Sequence, residues 1–270
     1  MNGKKIAIGG KGGVGKTTIC AILSHLFARD GFDVLAIDAD PDTNLAQAFG
    51  VPAEKYPIPL VNMKELIAER TGTGKDAVGA YFRLNPTVSD LPEKHWLKAA
   101  GVKLLVLGAI THAGSGCACP EGAFLKALLR HVILQRKEVI FVDLAAGVEF
   151  LGRASIQGID ALLLVVEPGG RSIETANNMA LMAKELGIRC VASLANKITE
   201  QSQKDVIRSQ LEDGITLLGY LDNSRLLQES DLKRTSVFGA ETEVLQQLNE
   251  ARKSLEELIL KTSTINNEKM

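Results

Sequence analysis

Cysteine is scarce in this chain, at four in 270 residues. In a reducing cytosol the four stay as thiols, so a close pair among them points to a metal or redox site rather than to a disulfide staple. Net charge is scarce as well: the formal value is −1, which argues against a broad basic face for nucleic acid. No stretch approaches the roughly 18 uninterrupted apolar residues of a membrane span, and neither an internal repeat nor a low-complexity tract interrupts the sequence. The opening MNGKKIAIGG leads straight to a strand and a glycine loop, without the apolar core and cleavage site of a secretory signal. The expectation is a cytoplasmic enzyme with neither a nucleic-acid nor a membrane partner.

What the chain does have is apolar residues in strand-sized runs. They make up 46% of it, enough to fill a buried parallel sheet. Strands are expected at residues 4–8, 34–38, 103–107, 139–142, 161–166, 191–194 and 217–221. Helices of period 3.6 fit between them, at about residues 16–30, 122–136, 172–186 and 201–211. This alternation predicts an α/β fold, a mostly parallel β-sheet with helices on both faces, whose ligands bind at the carboxyl ends of the strands. The stretch 52–92 is less regular, with Pro52, Pro57, Pro59, Pro86 and Pro92. It reads as an elaboration after the second strand, with a short helix at about 63–70. A long helix at about 241–261 ends a single domain, 1–261, and the polar residues 262–270 are expected to fray.

Gly10-Lys11-Gly12-Gly13-Val14-Gly15-Lys16-Thr17 fits G-x-x-x-x-G-K-[ST] without a mismatch, after a strand and at a helix start, where that motif must lie. The glycines allow successive backbone N–H groups to point at one phosphate, and the helix N-terminus adds partial positive charge. Lys16 is placed to neutralise the β and γ phosphates and Thr17 to offer its hydroxyl to Mg²⁺, with Thr18 closing the loop. The expected cofactors are ATP or ADP and Mg²⁺. With its second lysine, Lys11, the loop GKGGVGKTT resembles the deviant Walker A motif of the class that holds MinD, ParA and the nitrogenase iron protein. The resemblance implies a P-loop NTPase of the MinD-like type. It also implies an ATP-dependent homodimer in which Lys11 reaches across to the partner's nucleotide, as an arginine finger does.

Ile37-Asp38-Ala39-Asp40-Pro41-Asp42 ends the second strand with two carboxylates at i, i+2, which project to one side of a strand end. Oxygen ligands of this kind suit Mg²⁺ and an attacking water. By resemblance to switch I of the class, Asp40 orients the water and Asp38 supports the magnesium shell. Asp42 is expected as a helix cap. The run Val139 to Gly147 is an apolar strand ending in Asp143 and resembles switch II, which implies that Asp143 holds Mg²⁺ through water and that Gly147 lies near the γ-phosphate. Asn196-Lys197 follows another strand. In this class such a pair contacts the base, and an asparagine offers both the donor and the acceptor that adenine presents in reverse, although Asn-Lys also occurs as an ordinary turn.

The segment Thr111-His112-Ala113-Gly114-Ser115-Gly116-Cys117-Ala118-Cys119-Pro120-Glu121 carries the close thiol pair. It precedes a helix whose first turn is expected to hold Pro120 and Glu121, and helix N-terminal N–H groups favour thiolate. Thiolates bind Ni²⁺, Zn²⁺ or Cu⁺. One C-x-C supplies two ligands where a closed thiolate site wants about four, and a two-fold dimer presents the loop twice. His112 is read as a solvated loop residue, and Cys20 and Cys190 as buried, inert thiols.

GSGCACPE, the stretch 143–153 and EPGGRSIETA at 167–176 together resemble the CooC-type ATPases, which mature nickel-containing carbon monoxide dehydrogenase; the resemblance covers roughly residues 5–260. It implies that Cys117 and Cys119 of both chains hold Ni²⁺, with Zn²⁺ as an alternative occupant, and that carbon monoxide dehydrogenase is the client. A cousin serving acetyl-CoA synthase or another nickel enzyme fits the same residues. A MinD-like positioning ATPase fits less well, because residues 262–270 form no basic amphipathic anchor, and a ParA-like one because DNA binding wants a basic surface that the composition does not suggest. An iron–sulfur electron-transfer ATPase fits less well too, because residues 143–158 hold no cysteine.

Overall fold

The computed structural model describes residues 3–73, 83–108, 120–135, 137–147, 158–238 and 243–267. An eight-stranded sheet runs through the middle, in the order β3-β4-β2-β5-β1-β6-β7-β8. Its strands are β1 (Lys5–Gly10), β2 (Val34–Ala39), β3 (Leu97–Ala99), β4 (Val102–Val106), β5 (Val139–Leu144), β6 (Ala161–Val166), β7 (Cys190–Ile198) and β8 (Thr216–Asp222). Every pairing is parallel except β3 with β4 at one edge.

Alternating side chains on each central strand go to opposite faces, and both faces are apolar. Ile6 and Ile8, Val34 and Ala36, Leu163 and Val165 pack on one side. Ala7, Leu35, Ile37, Leu162 and Leu164 pack on the other. The first face is covered by α1 (Lys16–Arg29) and by a long terminal helix, Glu243–Asn267. There the rings of Phe27 and Phe141 meet edge to face, with centroids 5.3 Å apart. The second face is covered by α5 (Pro120–Gln135), α6 (Gly170–Glu185) and α7 (Gln201–Gln210).

The expected strands and long helices are present, and five details differ, the first being the edge strand β3, which is not among the expected strands. The terminal helix, α9, continues to Asn267 rather than ending near residue 261. A nine-residue helix, α8 (Arg225–Lys233), follows β8 with Ser224 as its cap, accepting the Leu227 N–H at 3.3 Å. The stretch after β2 holds a four-residue α2 (Leu45–Ala48), two short 3₁₀ turns, α3 (Lys64–Thr71) and α4 (Leu91–His95). Asp42 does not cap α2. The N–H of Leu45, at the start of that helix, goes instead to Oδ2 of Asp38, at 2.9 Å. Among the described residues no helix is long and apolar enough to cross a membrane.

Candidate functional site

The loop Lys11–Gly15 leaves the carboxyl end of β1, which lies between β5 and β6, and runs into α1. Gly15 is the N-cap, at φ 99°, and a Cβ there would come within 2.5 Å of the Asn196 amide nitrogen. The position therefore demands glycine twice over, for its left-handed backbone and for the neighbour that presses on it. Gly12 and Gly13 are exposed, Lys11 and Thr17 half-buried, and Lys16 is buried. The Lys16 ammonium donates to the Lys11 carbonyl at 3.2 Å. Burial lowers its pKa, opposed by the Asp143 and Asp40 carboxylates.

Asp38 and Asp143 are register partners on the adjacent strands β2 and β5, so their side chains share a face of the sheet. Both are buried. Burial, with Asp143 as the second cause, pushes the Asp38 carboxyl up to about 8. Burial pushes Asp143 up to about 7, against the Thr17 hydrogen bond and the Lys16 charge, which lower it. Thr17 Oγ1 donates to Asp143 Oδ2 at 2.6 Å. The other Asp143 oxygen, Oδ1, is buried and has no hydrogen-bond partner among the described residues. A hydroxyl and an orphaned carboxylate oxygen beside a phosphate loop form the hard oxygen set that Mg²⁺ takes. When bound, Mg²⁺ neutralises and polarises phosphate oxygens.

Both oxygens of Asp38 are engaged by its own loop, Oδ1 by the Asp40 N–H at 3.2 Å and Oδ2 by that of Leu45. Asp38 thus shapes the switch-like turn as well as facing Asp143, a duty that spacing alone did not suggest. Asp40 lies just past the strand, half-buried, and its Oδ1 accepts the Asp42 N–H at 2.9 Å. Gly147 donates its N–H to the Gly10 carbonyl at 3.3 Å, which joins the end of the switch II-like segment to the phosphate loop.

Asn196 and Lys197 reach the loop from β7. Asn196 Nδ2 donates to the Val14 carbonyl at 2.8 Å. Lys197 Nζ donates to the Gly13 carbonyl at 2.6 Å and pairs with Glu167 Oε2 at 2.9 Å. Glu167, just after β6, is the residue here that sequence reasoning passed over.

Cys117, Cys119 and His112 lie outside the described residues. Their flanks are described. Gly108 ends the segment that leads to them, and α5 begins at Pro120 with Glu121 in its first turn, as expected. Cys20 and Cys190 are buried, and burial pushes Cys20 well up and Cys190 up to about 11, which leaves both as inert thiols.

Residues 5–237 match the CobQ/CobB/MinD/ParA nucleotide binding domain. The chain is 44% identical over 229 residues to the carbon monoxide dehydrogenase accessory protein CooC of Rhodospirillum rubrum, covering 84% of this chain and 86% of that protein. It is 43% identical over 220 residues to an uncharacterized ATP-binding protein of Methanocaldococcus jannaschii, covering 80% and 84%. The septum site-determining protein MinD of Pyrococcus horikoshii, solved with Mg-ADP, shares the fold at a TM-score of 0.68 and 18% identity, covering 94% of this chain and 96% of that one. The phosphate loop, the buried aspartate pair and these similarities agree: the chain belongs to the CobQ/CobB/MinD/ParA nucleotide-binding family and is an ATP-hydrolysing P-loop enzyme of the MinD-like fold.

Proposed function

We propose that the chain is a cytoplasmic, homodimeric nickel chaperone whose ATP cycle drives nickel insertion into the Ni-Fe-S cluster of carbon monoxide dehydrogenase. The observation that carries this reading is the 44% identity with CooC over 84% of the chain. Cys117-Ala118-Cys119 supplies the matching chemistry, a pair of soft donors ahead of the α5 N-terminus. Nickel is the cargo, held by the two thiolates of each subunit.

In this reading Lys16 and the loop N–H groups bind the phosphates, Thr17, Asp38 and Asp143 serve the magnesium shell, and Asp40 orients the attacking water. Lys11 acts on the partner's nucleotide. Asn196 and Lys197 belong to the nucleotide site, and the bond to Val14 uses one amide hydrogen of Asn196, which among the described residues leaves the second and the side-chain carbonyl for an adenine edge. Loss of the γ-phosphate relaxes the switch segments and the dimer, which loosens the shared thiolate site.

Two relations support the coupling. The Asp38 carbonyl accepts the N–H groups of Leu107 and Gly108, the last described residues before the cysteine segment. Asp38 also faces Asp143 across the strand pair. The test is activation of nickel-free carbon monoxide dehydrogenase by the wild type and by Asp40→Ala, with ATP and Ni²⁺. The reading requires activation to collapse with Asp40→Ala. Activation at the wild-type rate by that variant defeats it. Acetyl-CoA synthase as client is the second reading, and the same assay with that apoenzyme decides between them.

A further inference from the structure

The phosphate loop is held from outside as well as from within. Its apex, Gly13, is exposed, at φ 81°, with no atom of the described residues within 4 Å of where a Cβ would stand. Left to itself such a stretch samples many shapes. Here the Gly13 carbonyl is caught by Lys197 Nζ at 2.6 Å, and the same ammonium is gripped by Glu167 Oε2 at 2.9 Å. Each anchor has a distinct backbone setting. Glu167 directly follows β6, and its backbone N–H donates to Oγ of Ser172 at 3.1 Å; Ser172 is buried in the first turn of α6. Lys197 sits at φ 61°, a backbone that lysine adopts at a cost. The pairing of β7 with β8 loses its regular register between Ala195 and Ile198, where Lys197 lies.

We propose that Glu167 is a positioning residue of the ATPase site, which through Lys197 fixes the phosphate loop in its phosphate-binding shape. A carboxylate beside a polyphosphate site is repulsive unless a cation neutralises it, and Lys197 is that cation. With its ammonium between a carboxylate and a loop carbonyl, Lys197 acts on the loop rather than on the base. Fixing the Gly13 carbonyl holds the loop in one shape, so its ordering entropy is lost at folding rather than at binding. This inference rests on ATP hydrolysis alone and is independent of nickel or of any client.

The experiment compares wild type, Glu167→Gln, Lys197→Met and the double variant by steady-state ATP hydrolysis and by competitive inhibition with magnesium tripolyphosphate, a ligand without a base. Glu167→Gln is expected to raise KM for ATP and Ki for tripolyphosphate by the same factor, about tenfold for a charge-assisted tether. kcat is expected to stay within about twofold, the pattern of lost uniform binding. The double variant is expected to lose no more than Lys197→Met alone, because the two act as one unit. Unchanged KM and Ki in a folded Glu167→Gln overturn the proposal. So does a raised KM with unchanged Ki, which assigns the pair to the base, or strict additivity in the double variant.

Discussion

The backbone carbonyl of Asp38 accepts the N–H of Leu107 at 2.9 Å, and that of Gly108 at 3.3 Å. The strand end that bears the aspartates therefore holds the root of the cysteine segment. From the other side the Val61 N–H donates to the Leu107 carbonyl at 3.1 Å. Gly108, at φ 70°, leaves room so tight that a Cβ would lie 2.8 Å from Val61 and 3.1 Å from Pro59. Gly108→Ala is expected to cost about 1–2 kcal/mol from the left-handed backbone alone, more with the contact, read by urea unfolding. ATP hydrolysis should change less than the effect of ATP on nickel binding. Equal losses in both would mean that the root carries no signal.

Replacing Asp143 separates stability from activity. Its buried Oδ1 has no hydrogen-bond partner among the described residues. Asp143→Asn keeps an oxygen for Thr17 and removes a charge that burial disfavours. The nucleotide-free variant should melt higher than wild type at pH 8, while ATP hydrolysis falls roughly a hundredfold or more. Scanning calorimetry and a phosphate-release assay read the two arms, and a lower melting point at pH 8 contradicts the account.

The two raised carboxyls also set a pH dependence. Asp38, at about 8, and Asp143, at about 7, hold protons in the folded protein that the unfolded chain releases near 3.8. The native state thus binds more protons than the unfolded one across that window. Without magnesium and nucleotide, the contribution of these two carboxyls to stability is largest at the acid end of that window and falls as pH rises from about 4 to about 8. Magnesium–nucleotide binding, which needs the ionised carboxylates, should release protons below about pH 7. Calorimetric titration in buffers of different ionisation enthalpy measures that release, and buffer-independent heats at pH 6 would refute it.

Lys11 can be tested for action across a dimer by complementation. Lys11→Ala and Asp40→Ala should each be inactive alone. Mixed dimers rebuild one whole site, with Asp40 from the first subunit and Lys11 from the second. After random exchange, an equal mixture is expected to regain about a quarter of wild-type ATP hydrolysis. No recovery, with subunit exchange verified by mass, would place Lys11 in its own subunit's site.

Much of this was legible in the sequence because the central strands are apolar runs and the phosphate loop is a contiguous motif. Ala161–Val166 was readable to the residue, since all six positions are buried. The short edge strand Leu97–Ala99 was not, because three residues show no periodicity. α8 was missed since none of its residues is buried, which leaves no apolar stripe to read. Asp42 failed as a cap because Asp38, seven residues before Leu45 and fixed in β2, reaches the helix start first. Glu167 gave no local signal, as its partner Lys197 lies thirty residues further along. The register of Asp38 with Asp143 likewise comes from strand pairing, which spacing along one chain does not encode.

The most direct test of the account is anaerobic titration of the metal-free protein with Ni²⁺, beside Cys117→Ala. Thiolate-to-metal absorption gives the stoichiometry, and light scattering gives the mass. The account predicts one nickel per dimer, with the absorption and the site both lost in Cys117→Ala. Nickel binding that ignores Cys117→Ala, or no thiolate-dependent binding at all, would contradict it and leave an ATPase whose cargo is something else.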